Sequence, residues 1–258
     1  MKRLRPPGVM PIEVWDFPIE GRTLQHFRRE PAFGAALAET VRGLRESPPL
    51  HWSPDARERA REVTSVYLVG GGVTPELTAR MPIPCTVCED LVFGAARAGL
   101  SLMSSPLASC LDVGQTSLKY VDHHRSERIE RDLLAVPARD DVPLSERSAV
   151  RASTIQFIGG VLRSAAANCG PVLLALPCEI DDACATSGCT YCWSSPDPTL
   201  VGGLAAEAGM EASSLLVIND GELAGVCADQ DPRLKRDGVV LVLSIGFAVG
   251  GALLEPGR

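Results

Sequence analysis

The sequence lacks an apolar segment long enough to cross a bilayer. Its longest apolar runs, at 239–245 and 247–249, are interrupted by glycine and are too short to span the hydrocarbon layer. The basic first residues are followed by prolines and acidic residues instead of the apolar core of a secretory leader. We therefore expect a cytoplasmic protein that does not associate with membranes.

The sequence also lacks an excess of positive charge. The formal net charge is −7 and the sequence pI is about 5.2. A negative chain of this kind is not expected to bind nucleic acid or an anionic membrane surface through bulk charge. This leaves a small molecule as the expected partner.

What the chain does contain is enough apolar material for one large core or two lobes. It has 258 residues, of which 45% are hydrophobic. Hydrophobic periodicity predicts an alternation of helices and strands, and therefore an α/β fold. Strands are predicted at 12–15, 66–69, 118–122, 129–136, 172–176, 215–218 and 239–244. Helices are predicted at 31–45, directly after Ser53, within 88–102, and at 149–167 and 200–208.

The central stretch Cys110–Tyr120 reads CLDVGQTSLKY, which predicts a strand, a tight turn and a returning strand. Gly114 would let backbone N–H groups approach an anion, and Thr116 could donate to a phosphate oxygen. Asp112 could hold a metal ion through water, and Lys119 could neutralise negative charge. The same pattern also occurs in ordinary hairpins, so both interpretations stay open.

Two further glycine segments follow apolar strands. Gly70, Gly71 and Gly72 expose backbone without side chains, which suits a flat ring lying against the loop, although a flexible turn is the alternative. Gly246 and the pair Gly250-Gly251 follow the last predicted strand. The segment Gly70–Gly72 is therefore a candidate for contact with a ligand.

Asn219 and Asp220 follow the apolar strand predicted at 215–218. A carboxylate at a strand end can accept the proton of a hydroxyl group as that group attacks a phosphate. The alternative is that Asp220 caps the helix that follows it.

Nine cysteines, an odd number, indicate reduced thiols, metal ligands or redox sites rather than a disulfide framework. Four of them could hold zinc or an iron–sulfur cluster, or could be reduced and partly buried thiols. These four are Cys178, Cys184, Cys189 and Cys192. Cys85 and Cys88 form a second pair, which cannot complete a metal site alone.

The pattern Asp-x-Gly-x-Thr-x-x-Lys at 112–119 resembles the first phosphate motif of the actin-like ATPase and sugar-kinase superfamily, in particular of the ROK kinases. Asn219-Asp220 resembles their catalytic Asn-Asp, and the glycines at 246–251 resemble their second phosphate loop. Gly70–Gly72, followed by a Gly-Ala-Ala helix, resembles their adenosine-binding end. In that family the adenosine-binding end closes the chain, whereas here it precedes Asp112, so the resemblance implies a circular permutation.

The resemblance implies a two-lobed actin-like ATPase fold, which is ribonuclease H-like. Residues 1–100 with 219–258 would form the adenosine-side lobe and residues 110–218 the first-phosphate lobe, with 101–109 as a linker. It also implies an ATP-dependent phosphotransferase with a carbohydrate-like acceptor.

The resemblance further assigns roles to single residues. Asp220 would be the general base, Asp112 would arrange Mg²⁺ and Asn219 would contact the substrate. ATP would bind to Gly114, Gln115, Thr116, Lys119, Gly246, Gly250, Gly251, Gly70, Gly71 and Gly72.

Several departures from the family pattern favour other functions. Phe247 stands where the family has a threonine, and the family's His/Cys zinc motif and Glu-x-Gly-His sugar clamp are absent. These departures favour a nucleotide- or sugar-binding protein without transfer activity, and the cysteines leave open an ATPase coupled to a metal centre. No helix-turn-helix pattern indicates a repressor. The oligomeric state stays open, with a homodimer as one possibility.

Overall fold

The fold is described here from a computed structural model, which covers residues 1–131, 142–166, 170–188 and 196–257. These residues form a mixed α/β structure, which confirms the predicted class. Among them, no helix combines the length and the apolar character needed to span a membrane.

The strands are β1 (Lys2–Arg3), β2 (Val9–Ile12), β3 (Pro18–Ile19), β4 (Arg22–Thr23), β5 (Val63–Val69), β6 (Cys85–Val87), β7 (Ser109–Val113), β8 (Ser117–Asp122), β9 (Ser126–Glu130), β10 (Val172–Leu176), β11 (Glu179–Ile180), β12 (Thr186–Ser187), β13 (Leu215–Asn219), β14 (Val239–Ile245) and β15 (Val249–Leu254). The α-helices are α1 (Phe33–Glu46), α2 (Pro54–Arg61), α3 (Pro75–Ala79), α4 (Gly94–Ser101), α5 (Arg147–Ala166), α6 (Leu200–Ala208) and α7 (Asp220–Gln230). Short 3-10 helices lie at Leu24–Phe27 and Ala212–Ser214.

The chain divides into two compact units. The first unit contains Met1–Arg5 and Ala96–Asp220, and the second contains Pro6–Ala95 and Gly221–Arg258. The sequence predicts that residues 1–5, 96–100 and 219–220 belong to the other group and that 101–109 form a linker, whereas all of these residues lie in the first unit. Residues 1–5 belong to the first unit because β1 pairs with β13 there.

The first unit is built on a six-stranded sheet with the order β1-β13-β10-β7-β8-β9. Strands β7, β8 and β9 are antiparallel neighbours, whereas β10 runs parallel to β7 and β13 runs parallel to β10. All five residues of β10 are buried, as expected for the central strand of a parallel set. The carboxyl ends of β7, β10 and β13 therefore share one edge of this sheet.

The second unit is built on a five-stranded sheet with the order β2-β15-β14-β5-β6. Strands β14, β15 and β2 are antiparallel neighbours, whereas β5 runs parallel to β14 and β6 runs parallel to β5. The first sheet has the same arrangement with one more parallel strand. The chain order also differs, because β2 precedes β14 and β15 whereas β9 follows β7 and β8. The buried face of α1 packs in the core of this unit through Leu37, Val41 and Leu44.

Strong local patterns were predicted well. The strand at 172–176 and the helix at 200–208 are confirmed with the predicted bounds. The helix after Ser53 is also confirmed, because the Ser53 side chain accepts a hydrogen bond from the Ala56 N–H at 3.2 Å. In each case an apolar pattern and a turn or cap signal agree.

Other elements differ from the predicted bounds, for example the strand predicted at 66–69, which begins at Val63. The strand predicted at 129–136 begins earlier, at Ser126, and 132–136 lie outside the described residues. The helix expected within 88–102 begins only at Gly94. Asp90 explains the late start, because its side chain accepts hydrogen bonds from the N–H groups of Val92 and Phe93 and holds a turn there.

The sequence predicts mainly loop structure for residues 1–30, with one short strand at 12–15. Instead, β1 lies at one edge of the first sheet and β2 lies at one edge of the second. Pro11 in β2 weakens the sequence signal, yet it is tolerated because an edge strand needs ladder hydrogen bonds on one side only.

Candidate functional site

The turn between β7 and β8 requires a glycine. The Gly114 N–H donates to the carbonyl oxygen of Ser117 at 3.1 Å and closes the turn. A Cβ at position 114 would lie 2.8 Å from that oxygen and 3.0 Å from Lys119 Nζ. Gly114, Gln115 and Thr116 are all partly exposed. The turn therefore leaves backbone accessible beside a lysine amine.

Asp112 and Lys119 form an ion pair beside this turn. They lie opposite one another in the β7–β8 ladder, and Lys119 Nζ is 3.1 Å from Asp112 Oδ2. The side chains are 13% exposed for Asp112 and 23% exposed for Lys119. Partial burial reduces solvent screening and so strengthens the attraction between the two side chains. The ion pair therefore keeps one negative and one positive group beside the turn.

Arg131 supports the turn and was not identified from the sequence. Its backbone N–H donates to the Thr116 carbonyl at 2.9 Å, and its Nη1 donates to the Gly114 carbonyl at 3.2 Å. Its guanidinium carbon lies 5.5 Å from the centre of the Phe157 ring. A single arginine after a strand carries no sequence signal for this role, which depends on tertiary packing.

Asn219 and Asp220 lie at the same sheet edge as Asp112. Ala175 in β10 pairs with Asp112 in β7 on one side and with Ile218 in β13 on the other. Asn219 therefore lies one residue further along the strand direction than the position that pairs with Asp112. Two strand spacings separate β7 from β13, or about 10 Å. Asn219 Nδ2 donates to the Cys178 carbonyl at 2.8 Å, and Asp220 is the first residue of α7. The first unit thus brings the predicted base and the predicted Mg²⁺-arranging carboxylate to one edge.

The second unit brings Gly70–Gly72 against the turn after β14. Gly70 has a φ of 106°, and a Cβ there would lie 2.5 Å from the Ile245 carbonyl oxygen. The Gly72 N–H donates to the same oxygen at 2.8 Å. Gly71 is exposed, with nothing within 4 Å of a Cβ built there. The predicted adenosine segment and the start of the predicted second phosphate loop are therefore neighbours.

Arg28 holds the turn between β14 and β15, a role that no local sequence pattern indicates. Its Nε donates to the Phe247 carbonyl at 2.7 Å and its Nη2 donates to the Gly246 carbonyl at 2.5 Å. Burial lowers the pKa of Arg28, and the charge of Arg29 lowers it further. Both bonds are donated by the Arg28 guanidinium group to backbone carbonyl oxygens.

Gly250 and Gly251 lie within strand β15 and not in the turn. Gly250 is opposite Ser244, and Gly251 is opposite Leu243. A Cβ on Gly251 would lie 2.4 Å from Val14 Cγ2, so packing alone requires a glycine there. The turn itself consists of Gly246, Phe247 and Ala248.

Two of the four predicted metal-ligand cysteines fall within the described residues. Cys184 is a buried free thiol whose pKa is raised by burial, and Cys178 is disulfide-bonded. Cys189 and Cys192 lie outside the described residues. In the described part of the chain, no three His, Cys, Asp or Glu residues are grouped so as to hold a metal ion.

The protein is thus an α/β chain of two units, each with a glycine-containing turn between two adjacent antiparallel strands of its sheet. Comparisons with models of known protein families, with curated proteins and with solved structures found no match.

Proposed function

We propose that this protein is an ATP-dependent phosphotransferase that acts on a hydroxyl group of a sugar or sugar-like small molecule. We further propose that it has a circularly permuted actin-like ATPase fold similar to that of the ROK kinases. The observation that carries the proposal is the repeated sheet arrangement. Each unit has three antiparallel strands joined to parallel strands, and each has a glycine turn between two of the antiparallel strands, β7 and β8 in the first unit and β14 and β15 in the second.

The order of the strands in the chain supports the permutation. In the first unit the three antiparallel strands follow one another as β7, β8 and β9, whereas in the second unit the third strand, β2, precedes the other two. Leu254 at the end of β15 is opposite Val9 at the start of β2, and the Glu255 N–H donates to the Gly8 carbonyl at 2.8 Å. A cyclic shift of the chain order gives both units the same strand sequence.

The chemistry of the first unit suits phosphoryl transfer. Phosphoryl transfer depends mainly on positioning and on electrostatic stabilisation of the transferred group. Asp220 would accept the proton of the attacking hydroxyl, Asp112 would orient Mg²⁺ through its waters, and Lys119 would neutralise phosphate charge. The Thr116 hydroxyl would donate a hydrogen bond to a phosphate oxygen, beside the backbone that Gly114 leaves accessible.

The second unit would bind the nucleoside. The exposed backbone at Gly71 leaves room for a flat ring, and Gly70 and Gly72 hold that backbone against Ile245. ATP and Mg²⁺ are the cofactors that this function requires.

A second candidate is a nucleotide- or sugar-binding protein without transfer activity. Phe247 offers no side-chain hydroxyl to a phosphate, and Arg28 already binds the carbonyl groups of Gly246 and Phe247. A turn held in this way could still bind an anion through the remaining N–H groups of Arg28, without assisting transfer.

The experiment that separates these functions is calorimetry with ATP and Mg²⁺, followed by a product screen over hexoses, amino sugars and cyclitols. Asp220→Asn is expected to lower transfer by about 100- to 10,000-fold, the usual contribution of a general base, with ATP affinity changed only a few-fold. Asp229→Asn is the matched control, because Asp229 is an exposed residue of the same helix. ATP binding without any product supports the second candidate, and absence of ATP binding contradicts the phosphotransferase.

A further inference from the structure

Two cysteines far apart in the sequence meet within the second unit. Cys88 directly follows β6, Cys227 lies in α7, and their sulfur atoms are 3.6 Å apart. Both thiols are free, and the residues are 6% and 7% exposed. A disulfide bond requires a sulfur separation of about 2 Å, so the two sulfurs would have to approach one another by roughly 1.6 Å for the bond to form.

The two sulfurs differ in their ability to ionise. The hydrogen bond between them lowers the pKa of Cys88 to about 6, and it raises the pKa of Cys227. Tyr67 lowers the pKa of both thiols, and its hydroxyl lies 3.7 Å from Cys227 Sγ and donates to Asp231 Oδ2 at 2.9 Å. Cys88 is therefore the nucleophile of the pair, and Cys227 retains its proton.

Gly94 makes room for the pair at the start of α4. A Cβ at this position would lie 2.6 Å from Cys88 Sγ and 3.5 Å from Cys227 Sγ. A larger residue would press on both sulfurs. The absence of a side chain at Gly94 leaves the two thiols in contact.

We propose that Cys88 and Cys227 form a peroxide-reactive dithiol that closes to an intramolecular disulfide. The Cys88 thiolate attacks one oxygen of hydrogen peroxide, the O–O bond breaks, and hydroxide leaves, so that Cys88 becomes a sulfenic acid. The Cys227 sulfur then attacks the Cys88 sulfur. The S–O bond breaks, and the departing oxygen leaves as water with the Cys227 proton. Two sulfurs are oxidised to the disulfide, and peroxide is reduced to hydroxide and water.

This modification site is independent of the proposed phosphotransferase. The disulfide would tie the end of β6 to α7, the helix that begins with Asp220. Oxidation would therefore restrict the helix that follows the Asn219-Asp220 segment.

The test treats the full chain with an equivalent of hydrogen peroxide, blocks the remaining thiols by alkylation and maps the peptides by mass spectrometry. The expected product is a peptide pair linked through Cys88 and Cys227, two hydrogen atoms lighter than the separate peptides and released by dithiothreitol. Cys227→Ser is expected to abolish the link and to leave a Cys88 sulfenic acid that dimedone captures.

Cys85→Ser is the matched control, since Cys85 lies three residues before Cys88 and burial raises its pKa to about 11. This variant is expected to form the link at the wild-type rate. Absence of the linked pair in folded wild-type protein, or oxidation of Cys85 as fast as that of Cys88, would overturn the proposal. The wild-type result decides the matter even if a variant does not fold.

Discussion

The Gly72 N–H donates a hydrogen bond to the Ile245 carbonyl oxygen at 2.8 Å, which joins the glycine segment after β5 to the turn after β14. The two strands are parallel neighbours, so their carboxyl ends meet at one edge of the sheet. Gly70 packs against the same carbonyl group with a backbone conformation that L side chains rarely adopt. The structure therefore requires glycine at positions 70 and 72. At the exposed position 71 an added Cβ would meet no steric conflict.

The first prediction compares Gly70→Ala with Gly71→Ala. Gly70→Ala is expected to lower the free energy of unfolding by about 2 kcal/mol, because it places a Cβ at positive φ against a backbone oxygen. Gly71→Ala is expected to change it by less than about 0.5 kcal/mol, since the added Cβ meets open space. Urea denaturation measures both values. Equal losses would contradict the assigned roles of these two glycines.

The second prediction concerns Arg28. Arg28→Met keeps much of the apolar stem but removes the donors to the Gly246 and Phe247 carbonyls. Loss of these charge-assisted bonds in a half-buried setting is expected to lower the free energy of unfolding by about 1 to 2 kcal/mol. Arg29→Met, at the exposed neighbouring position, is the control and should change it by less than about 0.5 kcal/mol. A similar loss for both variants would show that Arg28 does not hold the turn.

The third prediction concerns the carboxylate proposed to arrange Mg²⁺. Asp112→Asn preserves shape and an acceptor for Lys119 but removes the negative charge. We expect ATP affinity in the presence of Mg²⁺ to fall at least tenfold, or by about 1.4 kcal/mol, while affinity in EDTA falls less. Calorimetry under both conditions measures the difference. Asp182→Asn, which changes an exposed carboxylate of the same unit, should leave both affinities unchanged, and an equal effect from it would discredit the assignment.

The fourth prediction is a pH dependence of thiol reactivity. The thiolate is the reactive form, so alkylation of Cys88 should accelerate as pH rises through about 6 and then level off. Cys85, with a pKa raised to about 11, should still be slow at pH 8. Cys227→Ala should move the Cys88 midpoint upward, because the hydrogen bond from Cys227 is the largest cause of the lowered pKa. Peptide-resolved alkylation rates provide the measurement, and an unmoved midpoint in the variant contradicts this cause.

Short-range patterns allowed part of the fold to be predicted. The all-apolar strand β10 and the helix α6 were placed with the correct bounds, since each combines an apolar pattern with clear flanking signals. The edge strands β1 and β2 were missed or misplaced. Their short sequences gain order only by pairing with β13 and β15, which are remote in the chain.

The candidate site divides in the same way. Gly114, Asp112 and Lys119 lie in one hairpin, so their spacing alone predicted that they would be close. Arg28, Arg131 and the Cys88–Cys227 pair could not be found in this way. Each of these contacts spans distant parts of the chain, and no local periodicity encodes it.

The sequence by itself determined the α/β class and the residue types at each glycine turn, because strand pattern, turn chemistry and glycine placement are local properties of the chain. The tertiary structure alone decided that Asp112 shares a sheet edge with Asp220 and that Gly72 binds Ile245. It also decided that the sulfur of Cys88 meets that of Cys227. The physical reason is that these distances depend on strand register and helix packing. Both are determined by many weak contacts across a whole unit and not by any local stretch of the chain.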